Sequence, residues 1–258
     1  MEYNKTNKLR VFTGFSGYDS QCLAIERLKE AYPEFDYELV GWADIEESAI
    51  IAHDALFPEA KGKNKGDITA IMWRDVPDFD LFTYSFPCQD ISAAGKMAGL
   101  KKDSGTRSSM LWECERVIAE KRPRFLLMEN VKNLLSKNFK KDYEDWVAIL
   151  NRYGYTTFTQ ILDASDFGVP QHRKRVFAVS ILRTLDEPKP RYSFPKPQKL
   201  ELKLKDVLEI GVDEKYFLSD EMLVRFCEKS LQEDGVTGGS NADTIDGDVD
   251  FEDLFLQM

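Results

Sequence analysis

Residues that form cross-links and metal sites are scarce in this 258-residue sequence, which has four cysteines and two histidines. They are Cys22, Cys88, Cys114, Cys227, His53 and His172. Because no Cys-x-x-Cys pair occurs, the spacing fits neither a disulfide framework nor a structural zinc site. We therefore expect a protein with neither disulfide bonds nor a structural metal.

Long apolar runs are also lacking. No stretch is long enough to span a membrane, and the first residues, MEYNKTNKLR, have no apolar core typical of a secretion signal. These two absences predict a cytoplasmic protein with no membrane partner. Hydrophobic residues still make up 43% of the chain, enough for one sizeable domain or for a domain with an appendage.

Acidic residues outnumber basic residues and give a formal net charge of −10, but the acids are unevenly distributed. Residues 233–258 contain no Lys or Arg and carry −8, which leaves −2 for residues 1–232. Such a tail is typical of solubilising disorder, and the alternative is that it mimics DNA and occupies a basic cleft. Basic residues cluster at 132–141 and 172–175, where a solvated face and a nucleic-acid contact both remain open.

Short apolar runs alternate with amphipathic stretches over the first two thirds of the chain, as in βα units. The pattern predicts strands at 9–15, 37–44, 80–86, 125–130 and 175–182, and helices at 21–32, 45–56, 110–121 and 143–154, the first capped by Ser20. We predict a Rossmann-like α/β fold with a mostly parallel sheet and helices on both faces. Clustered prolines after residue 187 indicate a boundary. The expected parts are a main domain, a short extension and a disordered tail, at 1–190, 191–232 and 233–258.

Chemically capable residues follow several of the predicted strands. In an open parallel sheet, ligands bind beyond the carboxyl ends of the strands, where the strand order reverses. The turn at 15–20, Asp44, Asp67, Cys88 and Glu129 all lie at or near such ends. Each has a structural alternative, which in the same order is an ordinary βα turn, a helix N-cap, a turn residue, a small buried hydrophobic residue and a paired acid. A thiol and an acid at two strand ends together favour a functional site.

Three motifs, in this order, carry a resemblance to a known family: YSFPCQDIS, LLMENV and PQHRKRVF. Together they resemble the cytosine-C5 DNA methyltransferases. The stretches LRVFTGFSGYDSQ, GWADIEESA, KGDI and SGTRSSMLWE are similar to further motifs of that family, so the resemblance covers about residues 9–182. Pro-Cys, Glu-Asn-Val and Gln-x-Arg-x-Arg-Val in one chain form a highly specific combination.

The resemblance implies transfer of a methyl group from S-adenosylmethionine to C5 of cytosine in DNA. Cys88 would attack C6 of a cytosine flipped out of the duplex and form a covalent adduct. Glu129 would hydrogen-bond the N3 and amino edge of the base and favour protonation of N3. Arg173 and Arg175 would steady the base and its surroundings, with a plain basic face as the alternative.

The resemblance also implies a binding site for S-adenosylmethionine and no metal. The cofactor would lie on the turn after the first strand, with Asp44 at its ribose and Asp67 at its adenine amino group. The other residues implied at this site are Phe15, Ser16, Gly17, Tyr18, Ser20, Ile45, Ile68, Pro87 and Met110. The main domain, residues 1–190, would be the catalytic methyltransferase domain.

Two departures from the family pattern leave several functions open. Thr13 stands where the family often has an acid, and residues 191–232 hold no recognisable target-recognition region or final motifs. The chain would be a truncated or sequence-indifferent DNA methyltransferase, or the catalytic half of an enzyme completed by a second subunit. A tRNA-directed or inactive relative of that family, and a non-catalytic binding protein, also stay open. Cys88, Glu129, Arg173 and Arg175 together favour the DNA methyltransferase or its catalytic half over the other functions. The resemblance implies a prokaryotic or phage-encoded enzyme, with restriction–modification, phage protection and gene regulation all open as its role.

Overall fold

A computed structural model of the chain describes residues 3–87 and 110–225. The chain divides into two compact units, Met1–Asp206 and Val207–Met258. The predicted nucleophile Cys88 and the predicted tail at 233–258 both lie outside the described residues.

The first unit contains a sheet with helices around it. Its strands are β1 (Leu9–Gly14), β2 (Tyr37–Ala43), β3 (Leu81–Tyr84), β4 (Phe125–Val131), β5 (Tyr155–Asp163) and β6 (Lys174–Leu182). Its helices are α1 (Ser20–Ala31), α2 (Glu47–Leu56), α3 (Leu111–Lys121) and α4 (Lys140–Arg152). Within the described ranges, we find no helix with both the length and the apolar character that a membrane crossing requires.

The strands are ordered β2-β1-β3-β4-β6-β5. The first four pair in parallel, whereas β6 is antiparallel to both of its neighbours. This arrangement confirms the predicted Rossmann-like fold with a mostly parallel sheet. β5 is not predicted from the sequence, because its central residues are exposed and its sequence, YTTFTQILD, lacks a regular apolar alternation.

The two faces of the sheet are packed separately, because successive side chains of a strand point to opposite faces. Val11 of β1 clusters with Cys22 and Ile25 of α1. Its neighbour Phe12 belongs to a larger cluster that includes buried residues of α3 and α4. Helices therefore cover both faces, as the alternation of apolar and amphipathic stretches predicts.

The start of α1 corrects one expectation. Asp19, not Ser20, is the N-cap: its carboxylate accepts a hydrogen bond from the Cys22 backbone N–H at 3.1 Å. Ser20 is instead the first residue of the helix. An ionised N-cap also interacts favourably with the positive end of the helix dipole, which favours Asp over Ser at this position.

The described part of the second unit, residues 207–225, has exposed side chains throughout. Many of them are large and apolar: Val207, Leu208, Ile210, Val212, Tyr216, Phe217, Leu218, Met222, Leu223 and Val224. Single exposed apolar side chains are ordinary, but a run of this length is typical of an interaction surface.

Substitution of Phe82 tests the packing of the larger cluster, the one that contains Phe12. Its side chain is fully buried in β3, and its ring stacks on that of Tyr84 at 5.0 Å between centroids. We expect Phe82→Ala to lower the free energy of unfolding by about 3–5 kcal/mol, measured by urea denaturation, because truncation leaves a cavity. Ile51→Ala, at a side chain that is 64% exposed on α2, is the control and should change it by less than about 0.5 kcal/mol. Equal losses in the two variants would contradict the assigned packing.

Candidate active site at the carboxyl ends of the strands

The parallel strands bring the predicted site residues to one edge of the sheet. β2 lies on one side of β1 and β3 on the other, so the strand order reverses between β1 and β3. The carboxyl ends of β1, β2 and β3 lead directly into the segments at Phe15, Asp44 and Ser85. A crevice at such a reversal is the usual ligand site of an open α/β sheet.

The loop after β1 has an unusual backbone. Phe15, Gly17 and Asp19 all have positive φ angles, of 55°, 57° and 66°. For the two residues with side chains, this left-handed conformation costs about 1–3 kcal/mol each, and it persists only where the surroundings hold it. A Cβ added to Gly17 would meet no atom within 4 Å, so the φ angle and not crowding favours glycine there.

The same loop combines a buried hydroxyl that has no partner with exposed side chains nearby. The Oγ atom of Ser16 is buried and has no hydrogen-bond partner among the described residues. Tyr18 beside it is 54% exposed, and Ile45, beyond β2, is 74% exposed. A buried hydroxyl without a partner in the protein can hydrogen-bond a polar ligand, and in this respect the loop fits S-adenosylmethionine.

Asp44 connects the loop to β2. Its Oδ2 accepts a hydrogen bond from the Gly17 N–H at 2.8 Å, and its Oδ1 accepts one from the Glu46 N–H at 2.9 Å. The N-cap of α2 is Glu46, so Asp44 does not itself take the capping position that was its structural alternative. Its half-buried carboxylate lies beside the loop, where further lone pairs remain for a ligand hydroxyl.

Asp67 and Ile68 lie on a second loop near the same edge. Asp67 caps a short 3₁₀ turn, Ile68–Ala70, by accepting hydrogen bonds from the N–H and hydroxyl of Thr69 at 2.9 and 2.8 Å. The turn role that was its alternative is therefore present, and the role at adenine stays a prediction. Ile68 is buried, and Met110, just before α3, is half-buried.

Arg116 of α3 supports this second loop and was missed by the sequence analysis. Its guanidinium donates hydrogen bonds to the backbone carbonyls of Ile68 and Ile71, each at 2.8 Å. It also pairs with Glu113 at 3.2 Å. An arginine within an amphipathic helix gives no signal of such a role, because its partners are backbone atoms more than forty positions away.

The segment that leads to Cys88 is held on two sides. The Asn130 side chain in β4 donates a hydrogen bond to the Phe86 carbonyl at 3.0 Å, and Gln21 donates one to the Ser85 hydroxyl at 2.9 Å. Phe86 is buried and Pro87 is half-buried. The asparagine of the Glu-Asn-Val motif thus fixes the chain two residues before the predicted nucleophile.

Glu129 was predicted at the end of β4 but lies two residues before that end, opposite Phe177 of β6. Its Oε1 lies 3.1 Å from Nε of Arg175, and both side chains are about one quarter exposed, at 23% each. The antiparallel pairing of β4 with β6 thus joins two of the predicted catalytic residues. Their ion pair is partly shielded from water, which strengthens it over an exposed pair.

Asp163 holds the chain around Arg173. At the end of β5, its Oδ1 accepts hydrogen bonds from the backbone N–H groups of Arg173 and Ser165 at 2.9 and 3.3 Å. Burial acts to raise the pKa of Asp163, but these hydrogen bonds outweigh it and leave the pKa below its ordinary value. No sequence motif singles out this acid.

A cavity of about 540 Å³ opens beside these residues. Its lining is rich in basic side chains: Lys132, His172, Arg173, Lys174 and Arg175, with Val131, Asn133, Asp163 and Gln171. Such a surface suits an anionic polymer, because phosphate contacts depend on Lys and Arg. Among the residues the structure describes, no cluster of three or more His, Cys, Asp or Glu side chains is suited to a metal ion.

Two of the four cysteines are described, and both are buried, Cys22 in α1 and Cys114 in α3. Burial raises the pKa of each thiol, and the Asp19 carboxylate adds to the effect at Cys22. Since the thiolate is the reactive form, neither is suited to act as a nucleophile.

The chain is similar to proteins of known activity over most of its length. Residues 9–246 match a family model described as C-5 cytosine-specific DNA methylase. The chain is 39% identical to the type II methyltransferase M2.ScrFI of Lactococcus lactis subsp. cremoris, over 82% of this chain and 71% of that protein. It is 33% identical to the orphan methyltransferase M.SssI of Spiroplasma monobiae, over 84% of this chain and 69% of that one.

Solved structures show the same fold. The Dnmt2 methyltransferase of S. pombe aligns with a TM-score of 0.64 and 22% identity, over 86% of this chain and 66% of that chain. A DNA modification methyltransferase described as putative, encoded within an E. coli prophage, gives a TM-score of 0.58 and 20% identity, over 83% and 56%. The chain therefore spans about half to two thirds of these solved chains and of several curated relatives, such as M.SsoII at 54%.

The lowered pKa of Asp163 makes part of the stability depend on pH. The contribution is complete above the unfolded-state pKa, about 4, and is lost as the pH falls through the lower folded-state pKa. We expect the urea midpoint of the wild type to fall more steeply between pH 5 and pH 3 than that of Asp163→Asn, which cannot titrate there. Parallel curves for the two proteins would contradict the assigned hydrogen bonds.

Proposed function

This chain belongs to the C-5 cytosine-specific DNA methylase family, the DNA cytosine-5-methyltransferases that use S-adenosylmethionine, and we propose that it methylates cytosine through a covalent bond from Cys88 to C6. The observation that carries the proposal is the Glu129–Arg175 ion pair at 3.1 Å, at the edge of the basic cavity. It joins the acid of one motif to the arginine of another.

Glu129 would activate the base. Arg175 holds its Oε1, which leaves Oε2 to face the N3 and amino edge of a flipped cytosine. A hydrogen bond there stabilises the N3-protonated ring, which makes C6 a better electrophile. Arg173 would meet the same base or its phosphate from the turn before β6, with its backbone fixed by Asp163.

Cys88 would carry the covalent step. Its thiolate adds to C6, and the electron pair of the C5–C6 double bond makes C5 nucleophilic. When bound, S-adenosylmethionine supplies the methyl group to C5. A base then takes the C5 proton, the C6–sulfur bond breaks as the double bond re-forms, and Cys88 is released as a thiolate. The base must leave the duplex for this attack, so the proposal includes base flipping.

The cofactor would lie across the loops at the ends of β1 and β2. Ser16 and the Gly17–Tyr18 segment would receive its methionine part, Asp44 its ribose and Asp67 its adenine amino group. The buried Ser16 hydroxyl without a partner and the open space at Gly17 support this placement.

We also propose a second polypeptide as a partner. The chain spans 71% of M2.ScrFI and smaller shares of other relatives, and residues 207–225 expose a run of large apolar side chains. A polypeptide equivalent to the unmatched part of those relatives would cover this run and supply DNA target recognition. With DNA as its substrate and relatives from bacteria and phages, the proposed reaction takes place inside a prokaryotic cell.

DNA containing 5-fluorocytosine tests the covalent step. Fluorine replaces the proton that must leave, so we expect a protein–DNA adduct to accumulate on denaturing gels when S-adenosylmethionine is present. Cys88→Ala should form none, whereas Cys114→Ala, at a buried thiol outside the site, should form it as the wild type does. Glu129→Gln should form it about 10²- to 10⁴-fold more slowly, the range for loss of a general acid or base. Adduct formation by Cys88→Ala would disprove the assignment.

Addition of the unmatched part of M2.ScrFI in trans tests the proposed partner. The purified chain with the unmatched part of M2.ScrFI should methylate DNA at least tenfold faster than the chain alone. A deletion of residues 207–258 should abolish that gain but leave cofactor binding unchanged. Measurable methylation at the same rate with and without the added polypeptide would show that the chain is self-sufficient. Faster methylation of tRNA than of DNA would identify an RNA-directed relative.

A further inference from the structure

Asp19 is the most deeply buried acid beside the proposed cofactor site, and the methyl-transfer chemistry does not use it. Its side chain is 0% exposed. Its Oδ2 accepts a hydrogen bond from the Thr13 hydroxyl at 2.6 Å, and its Oδ1 accepts one from the Cys22 N–H at 3.1 Å. One carboxylate thus joins the last part of β1 to the first turn of α1, directly below the loop between them.

A third element closes over the same carboxylate. Nε2 of His53, on α2, lies 3.5 Å from Oδ2 of Asp19, too loosely placed to form a hydrogen bond, and the His53 side chain is also 0% exposed. Its ring stacks on Trp42 of β2 with centroids 3.7 Å apart. Asp19 is therefore enclosed by β1, α1 and α2, and Trp42 stands two positions before Asp44.

The loop that Asp19 ends is strained and must be held in place. Three of its five residues, Phe15, Gly17 and Asp19, have positive φ angles. Besides the Asp19 carboxylate, the contacts that hold it include Gly17 N–H to Asp44, Ser16 N–H to the Ala43 carbonyl at 3.3 Å, and Asp19 N–H to the Ser16 carbonyl at 2.8 Å. Strained conformations persist only where such contacts over-determine them.

We infer that Asp19 is a positioning residue for cofactor binding, which holds the Phe15–Tyr18 loop in its binding conformation through its hydrogen bonds to Thr13 and Cys22. The inference rests on the proposed function, because that function assigns the loop to S-adenosylmethionine. It also accounts for Thr13, which stands where the family often has an acid. The Asp19 carboxylate reaches this position from the loop and accepts a hydrogen bond from the Thr13 hydroxyl at 2.6 Å.

Two substitutions separate the side chain from the backbone conformation. Asp19→Gly accepts a φ of 66° without strain but removes both hydrogen bonds. Asp19→Asn tolerates the same φ and keeps an amide that can accept from Cys22 N–H and donate to the Thr13 hydroxyl. Asp36→Ala is the matched control, because Asp36 is another largely buried acid, paired with Lys8 and Lys29 before β2, at the opposite ends of the strands.

The dissociation constant of S-adenosylmethionine, measured by titration calorimetry on the full chain, is the readout. We expect Asp19→Gly to raise it at least tenfold, Asp19→Asn to stay within threefold of the wild type, and Asp36→Ala to stay within twofold. In methyl-transfer assays, Asp19→Gly should raise KM for the cofactor and leave kcat at saturating cofactor largely unchanged. If Asp19→Gly does not fold, Thr13→Val, which removes one of the two hydrogen bonds, should raise the dissociation constant at least threefold.

The outcomes that overturn the inference are distinct from failure of the proposed function. A dissociation constant for Asp19→Gly within twofold of the wild-type value would show that the carboxylate does not position the loop. The same result for Thr13→Val would show this if Asp19→Gly does not fold. Equal weakening in Asp36→Ala would show a general effect of stability. Wild-type protein that binds no S-adenosylmethionine would overturn the proposed cofactor site and this inference together.

Discussion

Parallel pairing of β2, β1, β3 and β4 sets four carboxyl strand ends along one edge of the sheet, and each proposed role depends on that alignment. The proposed cofactor loops follow β1 and β2, the segment toward Cys88 follows β3, and Glu129, the proposed activating acid, lies near the end of β4. Burial of aromatic residues on one face of the sheet and of α1 on the other fixes the alignment. Because the interior on both faces is close-packed, the strands and the loops that follow them are held at fixed distances from one another.

A second constraint is the reversal of direction at β6. Because β6 runs antiparallel to β4, its first residues lie at the same edge as the carboxyl ends of the parallel strands. Arg175 thereby reaches Glu129, and the turn before β6 places Arg173 and Gln171 in the cavity wall. The protein thus assembles a basic surface from a chain whose net charge is −10. Local arrangement and not total charge decides what such a surface can bind.

Much of this arrangement is readable from the sequence, for definable reasons. Apolar runs predict β1, β3 and β4, and the specific Glu-Asn-Val and Gln-x-Arg-x-Arg-Val motifs single out Glu129, Arg173 and Arg175 as site residues. That Arg175 pairs with Glu129 is visible only in the structure. Roles that depend on long-range contacts to backbone atoms are not readable. Arg116, Asp163 and Asp19 act on carbonyls, N–H groups or a buried hydroxyl, and nothing in their local sequence distinguishes them from a surface arginine, a turn acid or a simple cap. β5 was not predicted because the exposed residues at its centre show no alternation of apolar and polar side chains.

The central claim is methylation of cytosine C5 that depends on Cys88. The most direct measurement is mass spectrometry of nucleosides from DNA incubated with the purified chain and S-adenosylmethionine, with and without the unmatched part of M2.ScrFI. We expect 5-methylcytosine with the wild type under at least one of these conditions and none with Cys88→Ala. Methyl groups on an exocyclic nitrogen, or equal 5-methylcytosine from both proteins, would contradict it.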